Sequence, residues 1–236
     1  MPKPASNWIE TLPSNRTIAE FSMWSANLAN LENELVRIHD HADILHVDVA
    51  DGVFAPTFLF FPDLVAAMRK LTDKPIHVHL MVDDGVLLSQ IEQFIEAGSD
   101  LISFHLENEA LADQAFELLG DAGVAAGMVL RVETPVSGVA KHLDRLRFVT
   151  LLGTAIGVKG QGLDANAFTR LQEAKDLIEK TGLDQRIVLA ADGGIREHTV
   201  PELVRASAET VVLGSLAFGA PDLGERMKWL RELSNN

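Results

Sequence analysis

Four residues of the chain, two histidines and two aspartates, are of types that bind metal ions and transfer protons. His46 and Asp48 lie two positions apart in one short apolar stretch, so an extended strand would point both side chains to the same side. His79 and Asp192 each lie near the end of another such stretch. Imidazole nitrogen and carboxylate oxygen together suit Zn²⁺, Fe²⁺, Mn²⁺ or Co²⁺. If the strands converge, these four side chains could hold one divalent metal ion.

A histidine at the end of a strand can instead be an ordinary interior residue that hydrogen-bonds to its neighbours. The coincidence of four such groups in otherwise apolar strands favours a metal site. His77 alternates onto the same side as His79 but one step deeper, and we expect it to be an interior residue. His105 ends a further strand, where it either lines the site or supports it.

Glycine clusters later in the chain indicate a phosphate site. Glycine allows backbone N–H groups to approach phosphate oxygens closely. One cluster alone would be weak evidence for a phosphate site, because glycine also occurs in ordinary turns. Here three clusters follow three successive predicted strands. In barrels built from such strands, the loops after the later strands commonly bind phosphate. The clusters are Gly157-Val158-Lys159-Gly160-Gln161, Asp192-Gly193-Gly194 and Gly214-Ser215.

These residues belong to a regular alternation of short apolar runs and longer amphipathic segments. This alternation is typical of a parallel sheet that is buried on both faces. Eight strand–helix units in 236 residues predict a single-domain α/β fold, a (β/α)₈ TIM barrel. The predicted strands are Ile18–Met23, Ile44–Val49, Ile76–Met81, Leu101–His105, Ala125–Leu130, Phe148–Leu152, Ile187–Ala191 and Thr210–Leu213. The predicted helices are Leu28–His39, Pro62–Leu71, Val86–Ala97, Ala110–Ala122, Val136–Leu143, Asn166–Lys180, Thr199–Ala206 and Leu223–Leu233. The glycines expected to end helices are Gly98, Gly123 and Gly182.

The domain assignment follows from the absence of an internal linker. We assign residues 1–16 to an N-terminal arm and residues 17–236 to the barrel catalytic domain, because no Pro/Ser-rich or low-complexity tract divides the chain. The same alternation permits an open, doubly wound α/β sheet. That fold commonly has a Gly-x-Gly-x-x-Gly motif after its first strand, and Ser22-Met23-Trp24-Ser25 offers none.

Composition excludes several classes of function. The formal net charge of −14 at pH 7 argues against nucleic acid or an anionic membrane as a partner. The absence of cysteine excludes disulfides, iron–sulfur clusters, thiolate nucleophiles and cysteine zinc sites. No run of about 18 apolar residues could span a membrane, and the first residues lack the apolar core of a signal peptide. We expect a cytoplasmic protein that forms a homo-oligomer.

The motifs resemble those of the ribulose-phosphate 3-epimerase family, in the family's order and over nearly the whole chain from Phe21 onward. The matching stretches are Ser22-x-x-Ser25 followed by Asn27-Leu28-Ala29-Asn30-Leu31, His46-Val47-Asp48-Val49-x-Asp51-Gly52-x-Phe54-x-Pro56, His79-Leu80-Met81-Val82, Ser103-Phe104-His105-x-Glu107 and Asp192-Gly193-Gly194-Ile195. The resemblance implies a metal-dependent isomerase that inverts C3 of a ketose phosphate, most directly D-ribulose 5-phosphate to D-xylulose 5-phosphate. Such an enzyme would act in the pentose phosphate pathway.

Carried over residue by residue, the resemblance also implies roles. It makes His46, Asp48, His79 and Asp192 the metal ligands, and Asp48 and Asp192 the catalytic acid/base pair. A base on one face of a planar enediolate and an acid on the other would invert the carbon between them. The residues that the resemblance places against the substrate are Ser22, His79, Met81, Gly157, Gly160, Gly193, Gly194, Gly214 and Ser215.

The chain departs from the family in the apolar cover and in the phosphate loop. Ala50 and Leu152 occupy positions where the family usually has Met, and Thr57 occupies one where it usually has Asn. Lys159 lies in a loop whose usual sequence in the family is Gly-Phe-Gly-Gly-Gln. Another ketose phosphate, such as D-allulose 6-phosphate, is therefore an alternative substrate. Two further alternatives are a non-catalytic sugar-phosphate-binding barrel and a relative of the orotidine decarboxylases. The latter typically have a Lys two residues after the strand-two Asp, where this chain has Ala50.

Overall fold

The computed structural model describes residues 2–233. Met1, in the predicted arm, and residues 234–236, in the predicted barrel domain, lie outside the described residues. Eight parallel strands pair in sequence order and the last pairs with the first, so the sheet closes. The predicted α/β fold, a single-domain (β/α)₈ TIM barrel, is therefore confirmed. The strands are β1 (Ile18–Ser22), β2 (Ile44–Ala50), β3 (Ile76–Met81), β4 (Leu101–His105), β5 (Ala125–Leu130), β6 (Phe148–Leu152), β7 (Val188–Asp192) and β8 (Thr210–Leu213).

Helices alternate with the strands around the outside of the barrel. The α-helices are α1 (Trp8–Thr11), α2 (Leu31–Ile38), α3 (Pro62–Arg69), α4 (Asp84–Ala97), α5 (Ala112–Ala122), α6 (Ala167–Thr181), α7 (Val200–Arg205), α8 (Ser215–Phe218) and α9 (Leu223–Glu232). Segments of 3₁₀ helix cover Met23–Ser25, Leu28–Asn30, Leu106–Leu111 and Val136–Arg145. The sequence does not predict α1 or α8, because four residues are too few to show a helical period. Among the helices of residues 2–233, none has the length and apolarity needed to cross a bilayer.

The segment between β5 and β6 is a 3₁₀ helix and not the predicted α-helix. Three of its buried residues, Val136, Val139 and His142, follow one another at intervals of three. This spacing matches the three residues per turn of a 3₁₀ helix, which places all three side chains on one face. The segment therefore still covers the barrel, but with a tighter coil than the sequence predicts.

The predicted glycine stops are confirmed. α4, α5 and α6 end at Gly98, Gly123 and Gly182, each in the left-handed conformation that favours glycine. At Gly98 glycine is also required by space, because a Cβ atom there would come within 2.9 Å of the Arg69 side chain. These stops set the short connections from which the next strands begin.

Residues 8–12 close the N-terminal end of the barrel, which we call the barrel floor. The apolar cluster of the floor consists of Trp8, Ile9, Leu12, Ile18, Ile44, Leu101, Phe148 and Val188. The Arg186 guanidinium donates to the carbonyl oxygens of Leu12 (2.7 Å) and Pro13 (3.0 Å), which fixes the segment to the barrel. The floor is therefore sealed by apolar contacts and charge-assisted hydrogen bonds.

Strand pairing brings polar side chains together at the opposite end, which we call the barrel mouth. Ser22 of β1 pairs in register with His46 of β2, and Asp48 of β2 pairs with His79 of β3. Asp192 is the last residue of β7. In a TIM barrel the C-terminal ends of the strands carry the active site. The fold thus places the residues singled out from the sequence where such a site is expected.

Candidate functional site

Four side chains at the barrel mouth form one cluster. His46, Asp48, His79 and Asp192 each bring one donor atom to within 4.8 Å of the others. Asp48 Oδ1 lies 3.1 Å from His46 Nε2 and 3.4 Å from His79 Nδ1. Asp192 Oδ2 lies 4.0 Å from the same His46 nitrogen and 3.8 Å from the same His79 nitrogen. The structure thus brings together all four predicted ligand residues, with both carboxylates pointing inward.

The cluster fits a divalent transition metal. His79 Nδ1 is buried and has no hydrogen-bond partner, although it faces both carboxylates. Buried polar atoms in native proteins are normally satisfied, so this nitrogen indicates a missing cation or proton. Two imidazole nitrogens with two carboxylate oxygens are a donor set suited to Zn²⁺, Fe²⁺, Mn²⁺ or Co²⁺. These four residues could therefore hold a metal ion.

Glu20, inside β1, holds His46 from beneath. Its Oε1 accepts hydrogen bonds from Nδ1 of His46 (2.7 Å) and Nδ1 of His77 (2.5 Å), and all three side chains are fully buried. Burial alone would raise the pKa of Glu20, but the charge of His77 and the hydrogen bonds from both imidazoles lower it well below its ordinary value. With Nδ1 bonded in this way, His46 directs Nε2 towards the carboxylates of the cluster.

His77 is an interior residue, as predicted, because its Nε2 bonds to Ser103 Oγ (2.6 Å) beneath the cluster. Glu20, in contrast, is a residue that sequence reasoning missed. Its one signal is a charged side chain within an otherwise apolar strand, Ile18–Ser22. A lone buried carboxylate is costly, so its position alone indicates hidden cationic or donor partners.

His79 is held differently, by a chain of side chains that leads towards solvent. Its Nε2 lies 2.8 Å from His105 Nε2, and His105 Nδ1 lies 3.3 Å from Glu107 Oε2. Glu107 in turn accepts a hydrogen bond from the Thr134 hydroxyl. Burial lowers the pKa of His105 to about 3, against the opposing effect of Glu107. His105 is therefore neutral, and it supports the site from outside the cluster.

The two aspartates have pKa values that move in opposite directions. Burial raises the pKa of Asp192 to about 6, although the charge of His46 opposes the shift. Burial would also raise the pKa of Asp48, but the charge and hydrogen bond of His46 bring it well below its ordinary value. The Ser22 hydroxyl donates to Asp48 Oδ2 (2.9 Å), which further favours the ionised form. One carboxylate thus holds a proton more readily than the other.

A cavity of about 420 Å³ opens above the cluster. Every predicted site residue except His46 lines it, and His46 lies directly beneath. Met81 and Leu152 form apolar parts of the cavity wall. Among the described residues that line the cavity, Lys159 and Arg196 are the lysine and arginine. The predicted site residues that line the cavity are Ser22, Asp48, His79, Met81, Gly157, Gly160, Asp192, Gly193, Gly194, Gly214 and Ser215.

Gly193 and Gly194 are required by the shape of the loop after β7. Both have positive φ, at +84° and +70°, a region that side chains rarely adopt. A Cβ atom on Gly193 would lie 2.3 Å from Thr154 Oγ1, and one on Gly194 would lie 2.9 Å from Leu163 Cα. Glycine therefore lets this loop pack against Thr154 and Leu163, and both glycines line the cavity.

Comparisons with known proteins agree with this geometry. The model of the ribulose-phosphate 3 epimerase family matches residues 18–218. The ribulose-phosphate 3-epimerase of Bacillus subtilis is 32% identical over 211 residues, which cover 89% of this chain and 96% of that protein. Ribulose-phosphate 3-epimerase 2 of Cupriavidus necator is 36% identical over 204 residues, which cover 85% of this chain and 84% of that protein.

A solved structure of 3-hexulose-6-phosphate synthase superimposes with a TM-score of 0.67 and 16% identity, and covers 92% of this chain and 100% of that one. At this identity the likeness concerns the fold alone. The fold and the match to named epimerases define an enzyme of the carbohydrate isomerase class. The chain belongs to the ribulose-phosphate 3-epimerase family.

Proposed function

We propose that this chain inverts C3 of a ketose phosphate, most directly converting D-ribulose 5-phosphate to D-xylulose 5-phosphate. One observation carries the proposal. Asp48 and Asp192 point into the same cavity from β2 and β7, with oxygens within 4.8 Å of each other. Epimerisation needs a base and an acid on opposite faces of one carbon, whereas binding alone needs neither. The named activity of the relatives supports the same reaction.

Proton transfer is assigned to the two aspartates. Asp48, with its lowered pKa, is ionised and takes the proton from C3 on one face. Asp192, whose pKa burial raises to about 6, takes up a proton more readily than Asp48 and is the group that gives it to the other face of the planar enediolate. The two residues exchange roles when the reaction reverses. Ser22 orients Asp48 through its hydrogen bond, and Met81 packs beside the reacting carbon without donating a proton.

A divalent metal belongs to the proposal, with His46, Asp48, His79 and Asp192 as the residues that would hold it. The chemistry that such an ion supplies is Lewis-acid stabilisation of negative charge that develops on oxygen. The residues beneath it fix the site: Glu20 orients His46, and His105 orients His79.

Substrate anchoring is assigned to the glycine loops. Gly157, Gly160, Gly193 and Gly194 have positive φ and line the cavity, and glycine lets backbone N–H groups approach a phosphate closely. Gly214 and Ser215 follow β8 at the same end. A phosphate held there would align the sugar carbon between the aspartates and supply binding energy for the reaction.

A second candidate is the same reaction on another ketose phosphate, such as D-allulose 6-phosphate. Leu152 lines the cavity and Ala50 packs against Met81, and both differ from the residues usual in the family. They shape the apolar wall next to the sugar, so they affect which length of sugar chain the cavity accepts. A non-catalytic barrel is disfavoured, because binding alone needs no acid and base on opposite faces of the sugar carbon. The cytoplasmic location and the homo-oligomer stay predictions.

The deciding experiment is deuterium wash-in at C3 in D₂O. Metal-replete protein is incubated with a panel of pentulose and hexulose phosphates, and exchange is read by NMR. We expect exchange with at least one ketose phosphate, and D-ribulose 5-phosphate to be the best substrate. Asp48→Asn and Asp192→Asn, which keep the side-chain shape, are expected to lower the exchange rate by about 10³-fold. Absence of exchange with every ketose phosphate would reject the proposal.

A further inference from the structure

The Lys159 side chain crosses the barrel mouth. It starts from the loop after β6, and its Nζ donates to the carbonyl oxygen of Trp24, in the loop after β1 (2.7 Å). The same ammonium lies 4.4 Å from the centroid of the Trp24 ring. A cation over an indole face is attracted by the ring quadrupole. Two independent contacts therefore hold the charge at one position.

This position lies over the glycine loops. In the closed barrel the strand order is β6, β7, β8, β1, so a contact from the loop after β6 to the loop after β1 spans the ends of β7 and β8. Those two ends carry Gly193-Gly194 and Gly214-Ser215, and all of them line the same cavity as Lys159. The ammonium therefore borders the same cavity as the backbone donors assigned to phosphate.

The charge of Lys159 is available to a ligand. Of the described residues that line the cavity, only Lys159 and Arg196 are lysine or arginine. The Arg196 guanidinium donates to the carbonyl oxygen of Ile195 (2.9 Å). No salt bridge within residues 2–233 joins Lys159 to a carboxylate. Burial lowers the pKa of Lys159, and the negative charge of Asp48 opposes that shift.

We propose that Lys159 contacts the phosphate dianion of the substrate and sets the preference for phosphorylated over neutral ketoses. The inference rests on the proposed function for the identity of the ligand. The glycine loops offer neutral N–H donors, and a cation on the open side completes the shell around a phosphate. In a chain with a net charge of −14, this local charge also counters the long-range repulsion of an anionic substrate. Trp24 positions the ammonium for this contact.

The first test measures binding of inorganic phosphate by titration calorimetry, without any turnover. Lys159→Met is compared with wild type, Lys159→Arg and the control Lys175→Met, which removes a lysine paired with Glu179 on α6. We expect the Kd for phosphate to rise about tenfold in Lys159→Met and less than about threefold in Lys159→Arg, as loss of one charge-assisted contact predicts. Lys175→Met is expected to bind as wild type does. Unchanged phosphate affinity in a folded Lys159→Met protein would overturn the proposal.

The second test separates binding from chemistry. With D-ribulose 5-phosphate, Lys159→Met is expected to raise KM by about tenfold and to change kcat by less than about twofold, because the contact forms before the reaction and persists through it. A fall in kcat at unchanged KM would contradict a phosphate contact. If wild type catalyses no exchange but binds phosphate in a Lys159-dependent manner, the proposed function fails and the phosphate contact stands.

Discussion

Arg16 and Arg186 at the barrel floor are each held by several hydrogen-bond partners, whereas His79 and Asp192 at the barrel mouth are not. At the floor, Arg16 forms two hydrogen bonds of 2.8 Å with Asp43, and Arg186 donates to three carbonyl oxygens and to Glu209. At the mouth, His79 Nδ1 has no hydrogen-bond partner and the pKa of Asp192 is raised to about 6. Similar residue types thus stabilise the fold at one end and are held at a cost to stability at the other.

This difference is expected of an enzyme built on a barrel. Residues at the floor need only stabilise the fold, whereas residues at the mouth must present polar groups without partners to a ligand. The same substitution made at the two ends should therefore have opposite effects. Three pairs of substitutions and one single substitution test this difference, from the largest expected effect to the smallest.

The largest effect is expected from Asp192→Asn, compared with Asp43→Asn at the floor. Asp192→Asn should lower the C3 exchange rate by about 10³-fold, because it removes a group that transfers the proton. Asp43→Asn should leave the exchange rate of folded protein unchanged and lower the free energy of unfolding by about 2 kcal/mol, because Arg16 loses its charged partner.

The free energies of unfolding of the metal-free proteins give a second comparison of Asp192→Asn with Asp43→Asn. Folding raises the pKa of Asp192 from 3.8 to about 6, so the folded state binds the proton more tightly and stability falls as pH rises through that interval. At pH 8 the cost of the ionised carboxylate is fully present, and Asp192→Asn should raise the free energy of unfolding, on the order of 1 kcal/mol. Urea unfolding measures the free energy of unfolding of both variants. Equal destabilisation by the two would contradict the comparison.

Trp8→Ala tests the floor alone. It removes a side chain that is 8% exposed and contacts the Phe148 ring at a centroid distance of 6.2 Å. We expect the free energy of unfolding to fall by about 3 kcal/mol. The exchange rate per folded molecule should not change, because the mouth keeps all its residues. A loss of exchange that exceeds the loss of folded protein would show that the floor also shapes the site.

Glu20→Gln tests the buried support of His46. The amide carries no negative charge, so its hydrogen bonds to the two imidazoles are weaker, and metal affinity should fall by about 10- to 100-fold. Competition with a chelator, using Zn²⁺ and Mn²⁺, measures it. The matched control is Glu10→Gln at the floor, where the carboxylate pairs with Arg147, and metal affinity there should not change. Equal losses in the two variants would reject the positioning role of Glu20.

His105→Asn is expected to have the smallest effect. His105 supports His79, but its chain ends at Glu107, whose side chain is 28% exposed, so water can replace part of the support. Metal affinity should fall by about fivefold, below the range expected for Glu20. His142→Asn, a buried histidine against Phe116 on the outer layer, is the control. A loss as large as that of Glu20→Gln would show that both supports are equally rigid.

Much of the barrel and of its cluster could be predicted because their signals are local. Strands buried on both faces appear in the sequence as runs of apolar residues. Glycines such as Gly98 end helices because they adopt the left-handed conformation. A period of two places His46 and Asp48 on one side of β2, and the C-terminal ends of strands meet at one mouth. These rules need no knowledge of distant contacts.

The remaining features depend on residues far apart in the chain. Glu20 is 57 residues from His77, and Lys159 is 135 residues from Trp24, so no local pattern reports either contact. The four-residue helix α8 is too short to show the period of an α-helix, and Val136–Arg145 coils as a 3₁₀ helix although its sequence predicts an α-helix. Their form is decided by what they pack against.

The position of Trp24 gives the molecule an optical signal of its own. Of the three tryptophans, Trp8 lies in the floor and Trp229 lies on α9, so only Trp24 stands at the entrance to the cavity. Its ring faces the Lys159 ammonium, which we propose contacts the phosphate. Indole emission depends on nearby charge, so an anion that binds this ammonium should change the fluorescence of Trp24 while the other two tryptophans supply a constant background.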